Sequence, residues 1–318
     1  MEQVFVGEYI KQRRTDLGLT QAQLCEGICE PMTVSRLERG KQAPSYNTIN
    51  ALLQRLGLPG NRYFALLSKN EADMDSLQKE ILADKIQFAR SAKEDRPEIR
   101  KQALKKMEKL EQLMDPEDHI TQQYILSAKT SLGGPEGPYS PDERLTMLLE
   151  AIRLTVPRFD PENIGLLRYS MEETKIMNQI AVTYVQLGQK KTAFNIYRQL
   201  LQYIGEHDRD LAGFAGHYTM VAHNYAIDLT LEKRYGESLE IAEEGCRVCV
   251  RYGNYQFLPG FSAILAECFY FTGNLEQSKE YYFQAYYLYK AVGDRRNLEI
   301  IRQEMEERLG RSLPHQVP

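Results

Sequence analysis

Between Met177 and Ala285 the chain repeats one spacing of small and aromatic residues, and no other feature narrows its fold so far. Met177, Ile180, Ala181 and Tyr184 share a helical face; after a turn at Gly188 come Ala193, Tyr197 and Leu200. The spacing returns in Ala222, Tyr225, Ala226 and Leu229, followed by Ser238, Ala242 and Gly245. It returns again in Leu265, Ala266 and Phe269, then Gly273, Ser278, Tyr282 and Ala285. Steps of three and four residues place each set on one side of an α-helix. Small residues let two such helices approach, and the rings fill the space beside them. A unit of this kind cannot bury its apolar face alone, so the pattern predicts helix pairs stacked on one another.

The repeat is similar to the tetratricopeptide pattern, though longer. Ala193 to Ser238 is 45 residues and Ser238 to Ser278 is 40, against about 34 for the standard unit. The resemblance implies an all-α chain with a right-handed helical solenoid whose concave face is lined by the first helix of each pair. Helical periodicity begins at about Glu71 and runs to about Arg308, and the loop GGPEGPYSP (133–141) is its clearest interruption. Residues 69–115 read as a helical linker and the start of the array, two charged amphipathic helices broken at Pro97. Residues 116–318 read as the repeat domain, serving ligand sensing and dimerisation.

The N-terminal 1–68 has a different texture. Its stretch LTQAQLCEGICEPMTVSRLERG, Leu19 to Gly40, reads as two short helices and a tight turn. Thr20 and Gln23 form a capping box for the first, and Leu24 and Ile28 give it an inner side. Gly27, Ile28 and Cys29 make the turn. Glu30 caps the second helix, and Pro31 opens it, where a missing N–H costs nothing. Val34 and Leu37 face inward, leaving Met32, Thr33, Ser35 and Arg36 to face outward; Gly40 ends the helix in the left-handed conformation. Val6–Leu17 supplies a helix before this pair. Ser45 caps a fourth helix with the stripe Ile49, Leu52, Leu53, Leu56, and Asn61–Leu67 makes a fifth.

These residues resemble the helix-turn-helix of phage-repressor-type (XRE-family) regulators. The shortened "GIC" turn resembles more narrowly the Rgg/PlcR (RRNPP) group of peptide-responsive regulators. The resemblance implies a five-helix DNA-binding domain over 1–68, with Arg14 and Glu38 as a structural ion pair joining its first and third helices. It also implies roles on DNA. Gln21 would give its amide to a phosphate at a helix N-terminus. Met32 and Thr33 would reach base edges, Met32 by apolar contact alone. Ser35 and Arg36 would serve the backbone or a guanine, and Arg39, Lys41, Tyr46 and Asn47 would hold phosphates. Glu30 would read a cytosine amino group or only cap its helix. Two half-sites of double-stranded DNA and a homodimer follow, since one such head reads few bases.

Composition sets limits on this reading. A net charge of −4 does not advertise nucleic-acid binding, so DNA contact requires a local basic patch. The start MEQVFVGEYIKQRR lacks a signal-peptide layout and no apolar run reaches membrane-spanning length, which points to a cytoplasmic protein with no membrane partner. Five cysteines are an odd number for a disulfide framework. Cys246 and Cys249 have metal-like spacing but no second ligand pair, so packing roles are expected and no metal or cofactor. No metalloprotease, P-loop, nucleophile-elbow or dinucleotide-binding motif appears, so no catalytic residue is assigned and no enzyme is expected.

An extended peptide lying in a solenoid's groove carries unpaired amides, which asparagine can satisfy from both sides, while a cation can take a terminal carboxylate. Asn178 and Asn224 are the first candidates, with Lys175, Arg168, His223 and Tyr270 beside them. The function expected is a DNA-binding transcription regulator of a quorum-sensing type, controlled by a short signalling peptide in that groove. The alternative is a protein-interaction adaptor whose N-terminal bundle does not bind DNA specifically.

Overall fold

The computed structural model describes residues 6–41, 44–58, 69–132, 137–207 and 213–310, and among these there are helices and turns but no strand. Four helices make the head: α1 (Val6–Asp16), α2 (Gln21–Cys25), α3 (Pro31–Glu38) and α4 (Tyr46–Arg55). The expected helix Asn61–Leu67 lies outside the described residues. Ile10, Leu24, Val34, Leu37, Leu52 and Leu53 are wholly buried in one apolar cluster. Each such side chain is worth about 1.5–3 kcal/mol of transfer free energy, enough to hold helices that are individually too short to persist in water.

Eleven longer helices follow. They are α5 (Lys69–Arg90), α6 (Arg96–Leu113), α7 (His119–Ser131), α8 (Pro141–Thr155), α9 (Met171–Gln186) and α10 (Lys190–His207), then α11 (Phe214–Leu231), α12 (Tyr235–Tyr252), α13 (Leu258–Phe271), α14 (Leu275–Ala291) and α15 (Arg295–Leu309). Pro97 does not break the α5–α6 segment as expected; the chain turns over 91–95, and Pro97 sits in the first turn of α6. There its lacking N–H has no helical acceptor to leave empty.

The chain divides into two compact units, Met1–Lys85 with Arg100–Ala212, and Ile86–Ile99 with Gly213–Pro318. In the first, α7, α8, α9 and α10 pack in succession and α7 also touches α9. In the second, α11 to α15 pack in succession and α11 also touches α13. Packing on both the next helix and the next but one is what stacked helix pairs require. The repeat seen in the sequence is its core: Ala181, Ala193, Ala226, Ser238, Ala266 and Ser278 are all fully buried. The two serines share one job. The Ser238 hydroxyl donates to the Ala226 carbonyl and that of Ser278 to the Ala266 carbonyl, each at 2.8 Å. A buried hydroxyl needs such an acceptor, and an alanine twelve residues earlier supplies it from the facing helix. Gly245 of α12 leaves room for the Phe261 ring, which any Cβ there would overlap.

Candidate nucleic-acid and ligand sites

The α2–turn–α3 unit is built by local chemistry. Thr20 accepts from the Gln23 amide at 3.1 Å while Gln23 Oε1 accepts from the Thr20 amide at 2.8 Å, closing the capping box. Glu30 holds the N-cap position of α3, but its side chain makes no capping bond. With Pro31 at the first position, one of the four unpaired N–H groups of the helix start is already absent. Val34 and Leu37 are fully buried, Met32 is 60% exposed, Thr33 is half-buried, and Arg36, Arg39 and Lys41 are exposed. Gly40 has a φ of 68°, the left-handed end anticipated for this helix.

Ser35 departs from expectation. It is buried, and its hydroxyl accepts from Arg39 Nη2 at 2.7 Å. Both α1 and α2 pack on α3, so the covered stripe spans Val34, Ser35, Leu37 and Glu38 and is wider than a three-residue step suggests. Arg14 and Glu38 form the two-pronged ion pair, Nε to Oε1 at 2.6 Å and Nη2 to Oε2 at 3.1 Å. The same carboxylate takes the Gln21 amide at 2.7 Å. Gln21, whose amide is expected to meet a phosphate, gives one of its two N–H donors to this carboxylate inside the head. Asn47 likewise donates to Thr121 Oγ1 of α7 at 3.3 Å. Tyr46 opens α4.

The base of the head carries polar residues that local reading missed. Arg55, 5% exposed, donates from Nη1 to the carbonyls of Leu24 (3.1 Å) and Glu26 (2.6 Å). From Nη2 it donates to the Thr155 carbonyl (3.2 Å) and Glu173 Oε1 (2.9 Å). Glu173 in turn caps α9, its other oxygen accepting the Ser170 amide at 2.6 Å. Nearby, Arg158 grips Glu26 with two bonds of 2.9 and 2.7 Å. Gly27, at φ 73°, lies against the Thr155 backbone so closely that a Cβ would overlap it. No spacing rule links residues 118 apart in the chain, as Arg55 and Glu173 are. The one visible signal was the S-x-x-E at Ser170–Glu173.

The residues expected to meet a peptide occupy both units. In the first, Lys175 and Asn178 lie on α9; Lys175 pairs with Glu172 at 3.1 Å, and Asn178 is 3% exposed. Arg168, just before α9, is half-buried and lines a cleft at the base of the head. In the second unit His223 rests on Phe257 and Phe261, with ring centroids 5.3 and 5.5 Å away, above a glycine at 260 that leaves it space. Burial pushes its imidazole down to about 4, so it is neutral at physiological pH. Asn224 beside it is half-buried. Tyr270 on α13 lies under the Arg308 guanidinium at 5.4 Å. Burial also pushes the Cys246 and Cys249 thiols up to about 12 and about 11, which keeps them protonated and unreactive. Among the described residues no group of histidine, cysteine and carboxylate side chains is arranged to hold a metal, and no helix is long and apolar enough to cross a membrane.

Residues 10–61 match the helix-turn-helix family, and residues 148–308 match the RNPP family C-terminal domain. No curated protein matches the chain at the sequence level. Solved structures do. PlcR of Bacillus thuringiensis, in complex with the peptide PapR7 and DNA, is 20% identical with a TM-score of 0.58, covering 93% of this chain and 98% of its own. The apo form of that protein gives 18% and 0.55, covering 94% and 98%. ComR of Streptococcus vestibularis with its signalling peptide XIP gives 16% and 0.51, covering 95% and 97%.

Proposed function

We infer how the parts act from the premise that this chain belongs to the RNPP family, whose C-terminal domain fills half of it. It is a DNA-binding transcription regulator whose activity a short signalling peptide controls. The observation that carries the DNA half is the contrast within α3. Val34 and Leu37 anchor the helix in the head while Met32, at its N-terminal end, stands 60% exposed beside Arg36. An apolar and a cationic side chain presented together on a rigid helix suit a thymine methyl and a guanine edge or phosphate. Thr33, Arg39 and Lys41 extend that surface. The internal bonds of Gln21, Ser35 and Asn47 make them supports of the surface ahead of contacts on it. Glu30, exposed and free of a capping bond, is left to read a base.

The peptide half rests on helices that open a pair. Lys175 and Asn178 on α9, and His223, Asn224 and Tyr270 on α11 and α13, are our candidates, with Asn224 first because Asn178 shows almost no surface. Two heads in a homodimer reading two half-sites complete the reading. It is a regulator acting inside the cell, without catalysis.

Selection of bound duplexes from a random library tests the DNA half. A recurrent half-site pair should emerge with the wild type, and Arg36→Ala should weaken binding to it about tenfold. Enrichment of nothing would return the head to the adaptor reading. Fluorescence polarisation with a library of short labelled peptides tests the other half, and Asn224→Ala should weaken whichever peptide binds.

A further inference from the structure

The base of the head and the start of α9 enclose a cleft of about 330 Å³ whose lining takes in Arg168, expected from the sequence to meet a peptide and assigned here to a separate site. Arg55, Arg158, Arg168 and His207 line it together with Glu26 and Gln23. Leu19, Val156 and Leu167 give it an apolar wall. The volume sits at the small end of the range for small-molecule sites.

Its charges do not balance. Glu173 answers Arg55 and Glu26 answers Arg158. Arg168, half-buried, has no ion pair or hydrogen bond among the described residues. The cleft therefore offers one unmatched, half-buried guanidinium beside two that are already paired and an apolar wall. An oxyanion on a small organic body supplies what Arg168 lacks, since guanidinium forks bind carboxylate and phosphate with two parallel bonds.

We propose that this cleft is a second effector site, binding a small oxyanion, phosphate or carboxylate, between the base of the DNA-reading head and the α8–α9 connection. Its residues come from both, so an occupant ties Gln23 and Arg55 to Arg158 and Arg168. Any change it makes in DNA affinity must be matched by an equal change that DNA makes in its own binding. The proposal is independent of peptide control.

Isothermal titration of the full chain with inorganic phosphate and with citrate, against sodium chloride of equal ionic strength, tests it. At least one of the two should give a saturable heat with one site per chain and a Kd of about 1 mM or tighter. Arg168→Gln should weaken that binding about tenfold or more, as loss of a charge-assisted bond does. Arg168→Lys should fall between, and Arg247→Gln, an exposed position in the second unit, should match the wild type. Which anion binds more tightly distinguishes phosphate from carboxylate as the group recognised. Circular dichroism of Arg168→Gln checks that the variant is folded. Absence of saturable heat for both anions, or equal binding by Arg168→Gln and the wild type, overturns the proposal.

Discussion

Two clusters of partly or wholly buried charge, one in each compact unit, are satisfied in opposite ways. At the base of the head one guanidinium, Arg55, meets three carbonyls and the Glu173 carboxylate. At the end of the array one guanidinium, Arg308, is shared by two carboxyls. Glu267 lies 3.7 Å from it, and both Glu267 and Glu304 are pushed upward in pKa by burial, Glu304 to about 7. The first cluster matches its cation with one carboxylate and three carbonyls; the second has too little cation for its acids. A matched charge pair fixes geometry at any ordinary pH, whereas a surplus of acids leaves a proton to come and go.

The largest effect should come from Arg55→Met. The substitution leaves Glu173, whose side chain is 2% exposed, without its cation. Removing one partner of a buried pair costs about 3–5 kcal/mol. Adding Glu173→Gln should recover a good part of that loss, because glutamine still caps α9 in a capping box and brings no charge. Urea denaturation of the three proteins reads both numbers. If Arg55→Met costs under about 1 kcal/mol, the cluster is not the anchor that its bonds suggest.

A pair of glycines sharpens the point by separating backbone strain from packing. Gly27 and Gly188 have nearly the same left-handed conformation, φ 73° and 77°. Alanine at either carries the left-handed penalty of about 1–2 kcal/mol. At Gly188 a Cβ would meet nothing within 4 Å, whereas at Gly27 it would overlap the Thr155 backbone. Gly27→Ala should therefore cost about 1–3 kcal/mol more than Gly188→Ala, the usual toll of overpacking. Equal losses in the two melts would mean that the head is not seated tightly on the end of α8.

How much of this could be read beforehand depended on distance along the chain. The helix pairs were legible because Ala226 and Ser238, or Ala266 and Ser278, stand one fixed interval apart. The head was legible because Thr20, Gln23, Pro31 and Gly40 are local capping and terminating residues. The Arg14–Glu38 pair came from family resemblance, and its bidentate geometry is present. What escaped was set by neighbours distant in sequence. Ser35 is covered because two helices pack on α3, and Asn47 turns to Thr121 because α4 meets α7. Arg55 at the end of an apolar helix reads as an ordinary surface cation until Glu173 arrives beside it.

The second cluster makes the smallest and most easily switched prediction. Glu304 has an ordinary carboxyl pKa near 4.5 when unfolded and about 7 when folded, through burial first and then repulsion by Glu267, opposed by Arg308. A raised folded value means that the native state holds the proton more tightly than the unfolded chain. Its contribution is complete below about pH 4.5 and is lost as pH rises through about 7. Stability should therefore fall over that window by an amount that Glu304→Gln removes, since a neutral amide mimics the protonated acid. Subtracting the variant's urea midpoints from those of the wild type at pH 5, 6 and 7 cancels the titration of groups that do not interact with Glu304 and leaves that of the Glu304–Glu267 cluster. A difference that is flat, or that rises with pH, would mean that Arg308 already balances both carboxyls, and the contrast with Arg55 would vanish.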